Sequence, residues 1–318
     1  MIGVVGAGAF GTALAIALGR DAREVRLWAR EDAHVQAMRR ERTNAARLPG
    51  IDFPESVSVT ADIVELADAE AVLLAVPMQS LDGVLGRNSD ALNGLPLVAC
   101  CKGLDLATGQ GAVALVQTHC PRSVAAVLTG PSFAADIAKG LPTALTLACA
   151  DEAAGLQYQL STATLRLYRT TDVIGAELGG ALKNVIAIAA GAVIGAGLGD
   201  SARAALMTRG YAEMLRFALR LGARAETLAG LSGFGDLVLT CTSLQSRNLR
   251  FGMALGSGEP FDPTVTVEGA ATAVAVATMA KSMAVDMPIA QMVAALINHE
   301  IPLDHAIRSL MSRPLKQE

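Results

Sequence analysis

The chain has 318 residues, of which 52% are hydrophobic and 18% charged, so it can bury a large core and is not a disordered chain. Its formal net charge of −4 and its lack of any run rich in lysine and arginine argue against a partner that is nucleic acid or a membrane surface. A small-molecule partner is therefore expected.

Two features predict a cytoplasmic protein. No basic residue precedes the first apolar stretch, and a glycine turn follows within a few residues, so we expect no signal peptide. The five cysteines are an odd number with no C-x-x-C pair, which is typical of reduced thiols.

The four histidines lack a suitably spaced ligand partner, so no metal site is expected.

In chain order, the first half alternates short apolar runs with helical patterns. The runs of strand length are Ile2–Val5, Val25–Trp28, Ala71–Val76, Leu97–Cys101, Val124–Leu128, Ala144–Ala148 and Leu165–Tyr168. Their continuous apolarity is typical of strands covered on both faces. The helical segments between them include Thr12–Leu18, Ala33–Arg42 and Gly111–Thr118. This alternation predicts a doubly wound α/β domain of the Rossmann type with a parallel sheet.

After about Asp172 the pattern changes to helices. The segments of helical length are Gly179–Ile194, Ser201–Leu221, Val267–Lys281, Ile289–Asn298 and Leu303–Met311. We therefore predict a Rossmann domain over residues 1–178 and a mostly α-helical domain over 179–318. The apolar run Val185–Leu198 is shorter than the ~20 residues that span a bilayer, so we expect a buried helix and no stable membrane insertion.

A glycine turn follows the first strand and opens the first helix. It consists of Gly6, Ala7, Gly8, Ala9, Phe10 and Gly11. In a dinucleotide-binding turn, Gly6 permits the tight bend, Gly8 lets the backbone approach a pyrophosphate, and Gly11 lets helix and strand pack closely. Free N–H groups at the helix start favour the phosphates. The motif alone is compatible with a purely structural turn, but its position between strand and helix predicts a cofactor site.

The residue after the second strand bears on the choice of cofactor. An acidic residue there would accept hydrogen bonds from the ribose of NAD, but this chain has Arg30. A guanidinium suits a 2′-phosphate, so NADP is admitted beside NAD. The alternative is a solvated arginine at a helix start, beside Glu31 and Asp32.

An ordered set of short motifs along the chain resembles the bacterial NAD(P)-dependent glycerol-3-phosphate dehydrogenases. The motifs are Thr43-Asn44, Leu48-Pro49-Gly50-Ile51, Ala75-Val76-Pro77-Met78-Gln79, Lys102-Gly103-Leu104, Gly130-Pro131-Ser132-Phe133-Ala134, Glu177-Leu178-Gly179-Gly180-Ala181-Leu182-Lys183-Asn184, Gly233-Phe234-Gly235-Asp236-Leu237, Ser246-Arg247-Asn248 and Val267-Glu268-Gly269. Each is weak alone, but the set spans nearly the whole chain. The resemblance implies interconversion of dihydroxyacetone phosphate and sn-glycerol 3-phosphate, in support of phospholipid synthesis.

Two positions depart from the family pattern. Ala9 stands where the family more often has serine, and Ser201 where it more often has asparagine. The first change removes a hydroxyl contact with the cofactor and leaves the backbone N–H groups of Ala9 and Phe10 to serve.

Lys183 is the candidate for proton transfer. Reduction of a ketone needs a hydride donor at the carbon and a proton donor near the oxygen. Lys183 precedes Asn184 and a long apolar stretch, where partial desolvation favours the neutral amine. The resemblance assigns Lys183 the role of proton acceptor in the oxidative direction. The alternative is a lysine at a helix end that extends to water.

Polar groups also follow two other strands. Lys102 lies at the end of the run Leu97–Cys101, where its charge would hold the substrate or stabilise an oxyanion. Gly130 and Ser132 offer a backbone N–H and a hydroxyl. The alternatives are a solvated lysine and an ordinary turn. By resemblance, Lys102 contacts both cofactor and substrate, and Ala134 contacts the cofactor.

Five residues of the second domain complete the predicted site. Asp236 is expected to orient Lys183 or to accept a substrate hydroxyl, with a capping or solvated aspartate as the alternative. Ser246, Arg247 and Asn248 offer a hydroxyl, a guanidinium and an amide suited to phosphate oxygens, or else a polar helix start. The resemblance assigns these three to glycerol phosphate, places Arg247 near the cofactor as well, and assigns Glu268 to its ribose region.

Three alternatives stay open from sequence. One is a dehydrogenase of similar two-domain build that acts on a different hydroxyacid. Another is a nucleotide-sensing protein that keeps the glycine turn without catalysis, which the presence of Lys183 and Asp236 disfavours. The third open point is the oligomeric state, because the sequence is compatible with a homodimer but does not establish one.

Overall fold

One sheet of eight strands organises the N-terminal part of the chain. The computed structural model describes residues 1–150 and 154–311, and the chain divides into two compact units, Met1–Glu177 and Leu178–Glu318. The strands of the first unit are β1 (Ile2–Val5), β2 (Val25–Trp28), β3 (Val57–Thr60), β4 (Ala71–Leu74), β5 (Leu97–Ala99), β6 (Ala125–Thr129), β7 (Thr143–Cys149) and β8 (Leu165–Thr170). They lie in the order β3-β2-β1-β4-β5-β6-β7-β8 across the sheet.

Strand β1 lies inside the sheet and marks a reversal of strand order. It pairs in parallel with β2 on one side, with Ile2 opposite Val25, and with β4 on the other, with Ile2 opposite Ala71. The chain builds outward through β2 and β3 and then returns to the far side of β1. Doubly wound folds bind ligands at such a switch point, beyond the carboxyl ends of the strands. The predicted Rossmann architecture is confirmed.

Helices cover the sheet of the first unit. They are α1 (Ala9–Arg20), α2 (Asp32–Glu41), α3 (Met78–Leu92), α4 (Ala112–His119), α5 (Ala134–Ala138) and α6 (Ala154–Leu160), with a 3-10 turn at Ile63–Leu66. Helix α1 is apolar all round, and each of its residues 11–19 is buried. A helix that is apolar on every side is buried in the protein, and α1 therefore belongs to the core of the first unit.

Two expectations about the sheet were wrong. Strand β3 was not predicted, because its four residues carry two hydroxyl side chains and lack a continuous apolar run. The sheet is also not wholly parallel, since β7 runs antiparallel to β6. The only helix between those strands is α5, whose five residues advance the chain by about 7.5 Å. That length is too short to return the chain to the end of the sheet where β6 starts. Strand β7 therefore begins at the end where β6 stops, and it runs antiparallel to β6.

The second unit is helical, as predicted. Its helices are α7 (Val173–Gly195), which begins before the unit boundary, α8 (Gly199–Arg220), α9 (Ala225–Ala229), α10 (Asp236–Thr242), α11 (Arg247–Ser257), α12 (Glu268–Ser282), α13 (Pro288–Ile297) and α14 (Leu303–Met311), with a π turn at Leu231–Gly235. Residues 312–318 of the predicted helical domain lie outside the described ranges.

Glycines bring α7 and α11 into backbone contact. A Cβ atom at Gly191 would lie 2.1 Å from the carbonyl oxygen of Leu249, and one at Gly252 would lie 2.0 Å from that of Ile188. Any larger residue at either position would push the two helices apart. The small residues of the apolar run therefore serve close packing, and they hold the start of α11 beside α7.

Helix α7 is longer than the apolar run suggested. Its 23 residues meet the length and composition of a membrane span, but 83% of its most apolar window is buried inside the protein. The predicted helical segment Gly179–Ile194 lies within α7, which begins six residues earlier, at Val173. The burial is that of a core helix.

Glu213 is a buried carboxylate that fastens α8 to α13. Its side chain accepts hydrogen bonds from the backbone N–H of Ile289 at 2.8 Å and of Ala290 at 3.3 Å, at the start of α13. Burial raises the pKa of Glu213 to about 7 even though these two N–H groups favour the charged form. The carboxylate thus satisfies free N–H groups of α13 at the expense of its own hydration.

The raised pKa predicts a loss of stability as pH rises. The folded-state pKa lies above the ordinary value of 4.5, so the stabilising effect of the bound proton is complete below about pH 4.5 and is lost as pH rises through 7. The difference between the folded-state pKa and the ordinary value corresponds to roughly 3 kcal/mol in the free energy of unfolding. We expect Glu213→Gln to flatten the dependence of melting temperature on pH between 5 and 8. An unchanged slope in the variant would contradict the assignment.

Candidate active site

The glycine turn has the geometry that a dinucleotide requires. Gly6 has φ +111°, in the region that favours glycine, and a Cβ at Gly11 would lie 2.1 Å from the Gly6 carbonyl oxygen. At Gly8, by contrast, an added Cβ would meet nothing within 4 Å. Gly8 is the N-cap of α1 and provides no side-chain cap, so the first N–H groups of that helix have no local acceptor. The turn combines tight packing with open space and N–H donors, which fits a pyrophosphate.

Arg30 is the second residue after β2, on the same edge of the sheet. Its side chain is 78% exposed and forms an ion pair with Glu31 at 3.3 Å. Such an exposed pair contributes little to stability, so the guanidinium can exchange this partner for a phosphate without great loss. Contact with a 2′-phosphate stays a prediction.

Lys102, Gly130 and Ser132 come together at the carboxyl ends of β5 and β6. The Lys102 Nζ donates to the Gly130 carbonyl oxygen at 3.1 Å, and the Ser132 hydroxyl donates to the same oxygen at 3.2 Å. Gly130 has φ +136°, a conformation that favours glycine, and its carbonyl faces both donors. The three residues therefore share the sheet edge that carries the glycine turn. Ala134 follows as the first residue of α5.

In the second unit, Lys183 is the centre of a buried polar cluster. Its Nζ donates to Asp236 Oδ1 at 2.6 Å and to Thr240 Oγ1 at 2.6 Å. The Thr240 hydroxyl lies 3.2 Å from the same carboxylate oxygen. Exposure of Lys183, Asp236 and Thr240 is only 6%, 1% and 4%. The ammonium is thus held by an acidic partner and a hydroxyl rather than by water.

Glycines again explain why these side chains meet. A Cβ at Gly179 on α7 would lie 2.5 Å from the carbonyl oxygen of Ser232, in the π turn that leads into α10. Only glycine at this position lets α7 approach the turn that leads to Asp236. Since α10 begins at Asp236, Thr240 follows one helical turn later on the same face.

Thr240 was not singled out from the sequence. Its spacing of four residues from Asp236 was the available signal, because positions i and i+4 of a helix share a face. The sequence alternative in which Lys183 extends to water is wrong, since its side chain is buried. Nearby Cys241 is unreactive, because burial raises the pKa of its thiol to about 12.

The segment Ser246–Asn248 begins helix α11. The Ser246 hydroxyl caps that helix by accepting from the Leu249 N–H at 3.2 Å, which is the capping role left open above. Asn248 Oδ1 accepts a hydrogen bond from the Gly269 N–H at 3.0 Å. The amide nitrogen of Asn248 therefore points away from Gly269. Arg247 is exposed.

Glu268 is held in place by its neighbour. It is the first residue of α12 and is half-buried. A Cβ at Gly269 would lie 2.6 Å from Asn248 Oδ1 and 2.8 Å from the Asn184 carbonyl oxygen. The start of α12 therefore packs against the residue that follows Lys183 and against the start of α11.

Comparison with known proteins agrees with these features. The model of the N-terminal part of NAD-dependent glycerol-3-phosphate dehydrogenase matches residues 1–155, and the model of the C-terminal part matches 172–308. The glycerol-3-phosphate dehydrogenase (NAD(P)+) of Cereibacter sphaeroides is 66% identical over 100% of both chains. That of Roseobacter denitrificans is 60% identical over 100% of this chain and 99% of its own.

Solved structures give the same result. A glycerol-3-phosphate dehydrogenase from Coxiella burnetii superposes with a TM-score of 0.92, at 37% identity over 98% of each chain. A ketopantoate reductase from Ralstonia eutropha, at 16% identity and a TM-score of 0.63 over 96% of this chain and all of its own, shares the fold alone. The N-terminal and C-terminal models of this family match residues 1–155 and 172–308, and its relatives match over the full length of the chain. The chain therefore belongs to the NAD-dependent glycerol-3-phosphate dehydrogenase family.

Proposed function

We infer that the chain interconverts dihydroxyacetone phosphate and sn-glycerol 3-phosphate with NAD or NADP. Family membership over both units supports the reaction and the cofactor. The observation that carries the chemistry is the buried cluster of Lys183, Asp236 and Thr240, because a ketone oxygen that gains a hydride at its carbon needs a proton donor.

The first unit is proposed to hold the cofactor. The backbone N–H groups after Gly8, including those of Ala9, Phe10 and Gly11, would bind the pyrophosphate. Arg30 would bind a 2′-phosphate, while Lys102 and Ala134 would contact the cofactor from the next strand ends. When bound, the nicotinamide supplies or accepts the hydride.

Lys183 is proposed to move the proton. In the reductive direction its ammonium donates a proton to the ketone oxygen as negative charge develops there, and in the oxidative direction the neutral amine accepts the proton of the alcohol. The Asp236 carboxylate and the Thr240 hydroxyl each accept a hydrogen bond from Nζ and so orient it. Asp236 would also accept a hydroxyl of the substrate.

The remaining polar residues are proposed to hold the substrate. Arg247 would bind the phosphate with its guanidinium fork, assisted by the Asn248 amide and the Ser246 segment. Lys102 would stabilise charge on the oxygen, with Gly130 and Ser132 beside it. Arg247 and Glu268 would also contact the cofactor.

One assay tests the central claim. Consumption of NADPH and of NADH is followed by absorbance with dihydroxyacetone phosphate as substrate, and with unphosphorylated dihydroxyacetone and a keto acid as controls. We expect oxidation of cofactor with the phosphorylated substrate only. Turnover of the keto acid without turnover of dihydroxyacetone phosphate would contradict the proposal.

Arg247→Ala is expected to weaken substrate binding. Loss of a charge-assisted contact with phosphate corresponds to about a tenfold to hundredfold rise in KM for dihydroxyacetone phosphate. Arg250→Ala is the matched control, because Arg250 lies on the same helix and is also exposed. Equal KM values for both variants would place the phosphate site elsewhere.

Arg30→Asp is expected to shift cofactor preference from NADP toward NAD. The change removes a partner for the 2′-phosphate and adds an acceptor for ribose hydroxyls, with an expected change of about tenfold or more in the ratio of kcat/KM values. Arg40→Asp is the control, since Arg40 forms a similar exposed pair with Glu41 at 2.9 Å. An unaltered ratio would leave Arg30 in solvent.

The cellular role follows from the product. We propose that the enzyme lies in the cytoplasm and supplies glycerol 3-phosphate for phospholipid synthesis. A homodimer stays a prediction, which light scattering of the purified full-length chain would test.

A further inference from the structure

A buried amide lies behind the glycine turn. Asn44 is 1% exposed and is 37 residues from the turn in sequence, yet its Nδ2 donates to the Ala7 carbonyl oxygen at 3.0 Å and to Thr12 Oγ1 at 2.8 Å. Ala7 lies within the turn and Thr12 in the first turn of α1. One side chain therefore links the glycine turn to the helix that it opens.

The orientation of this amide is determined by its neighbours. The Ala7 carbonyl can only accept, so the Asn44 nitrogen must face it and Oδ1 must face the other way. His34 Nε2 lies 3.0 Å from Oδ1, and because Oδ1 can only accept, Nε2 carries the proton. The chain of donors runs from His34 through Asn44 to Ala7 and Thr12.

The Asn44 backbone is itself anchored. Its carbonyl oxygen accepts from the N–H groups of Arg47 at 3.1 Å and of Leu48 at 2.8 Å. Leu48 is a buried core residue, and Thr43 pairs with Asp52 across an isolated bridge. The amide is thus a fixed support, which a flexible loop residue would not be.

The peptide plane gives this support a consequence for the cofactor. In a trans peptide the C=O and the following N–H point in opposite directions. With the Ala7 oxygen held by Asn44, the Gly8 N–H points away from Asn44, and the Ala7 carbonyl is kept away from any anion on that opposite side. A free peptide at this position could rotate and present its oxygen to the phosphates, which would repel them.

We propose that Asn44, oriented by His34, is a positioning residue that locks the Ala7–Gly8 peptide with its N–H toward the cofactor pyrophosphate. The proposal rests on the inferred use of a nicotinamide dinucleotide. Asn44 itself touches neither cofactor nor substrate in this role. Its contribution is to binding of the cofactor and not to the transfer of hydride or proton.

Replacement of the amide by an apolar side chain of similar size tests the proposal. In Asn44→Leu the Ala7 oxygen loses its donor, and we expect the Kd of NADPH, measured by its fluorescence with the full-length protein, to rise about tenfold or more. The KM for NADPH should rise in parallel, while kcat at saturating cofactor stays within about twofold. Thr12→Val, which removes only the second acceptor, should change the Kd by less than about threefold.

Two further variants separate positioning from general destabilisation. Leu14→Ala removes a fully buried side chain of α1, and it should lower the melting temperature while leaving the Kd nearly unchanged. If Asn44→Leu does not fold, Asn44→Ser carries the same expectation, because its shorter side chain cannot reach the Ala7 oxygen. An unchanged Kd in a folded Asn44 variant, or an equal rise in Leu14→Ala, would overturn the proposal. Activity of the wild type with dihydroxyacetone phosphate tests the proposed function separately.

Discussion

Replacement of Lys183 by methionine is expected to lower kcat by about 10²–10⁴-fold, since removal of a general acid or base has an effect of that size. Methionine keeps most of the side-chain volume and removes the charge. The Kd of NADPH should change little, because the glycine turn and not Lys183 is proposed to hold the cofactor. Stopped assays of dihydroxyacetone phosphate reduction and fluorescence titration of NADPH measure the two quantities on the same preparation.

A second lysine variant serves as the control for Lys183. Lys281 lies in the last turn of α12 and is exposed, so Lys281→Met should keep wild-type kcat. Circular dichroism establishes that both variants are folded. Near-normal turnover by folded Lys183→Met would remove this residue from the mechanism, and would leave the proton transfer to another group.

Separating the buried pair is expected to produce the largest change in stability. Lys183 Nζ and Asp236 Oδ1 lie 2.6 Å apart, with side-chain exposures of 7% and 1%. Loss of one partner leaves the other as an uncompensated buried charge, so Asp236→Leu and Lys183→Met should each lower the free energy of unfolding by about 3–5 kcal/mol. Denaturant titration followed by far-UV circular dichroism measures this, since the single tryptophan, Trp28, lies in the first unit.

The double variant carries the sharper expectation. Lys183→Met combined with Asp236→Leu removes both charges together, and a well-packed apolar pair is often as stable as the ion pair it replaces. We therefore expect the double variant to be more stable than either single variant while it remains inactive. Additive losses of stability would show that the two residues do not act as a pair. Recovery of stability without activity would mean that the pair is retained for chemistry.

Local patterns were sufficient for many elements. Strands β1 and β2 begin and end where their apolar runs predicted, because a continuous run bounded by polar residues leaves one way to bury it. The Gly6–Gly11 turn was also predictable, since two of its requirements for glycine arise within the turn: Gly6 has a positive φ, and a Cβ at Gly11 would lie 2.1 Å from the Gly6 carbonyl oxygen. Strand β3 escaped prediction because its burial comes from neighbours and not from its own composition.

The candidate site shows the same division. Lys183, Asp236 and the Ser246–Asn248 segment were all singled out from residue type and motif. Their distances were not predictable, because the Lys183–Asp236 contact joins residues 53 apart in sequence and depends on glycines that let α7 approach the π turn. Thr240 and Asn44 acquire their roles only through such long-range contacts.

The sequence by itself determined the class of fold, the position of the glycine turn and the helical second half, since each depends on local sterics and on the burial of apolar runs. It also supplied the residue types available for proton transfer. The tertiary structure alone decided the antiparallel pairing of β6 with β7, the burial of the Lys183 ammonium against Asp236 and the support of Ala7 by Asn44. Those features are set by close approach between distant segments. The spacing of residues along the chain does not indicate which distant segments pack against each other.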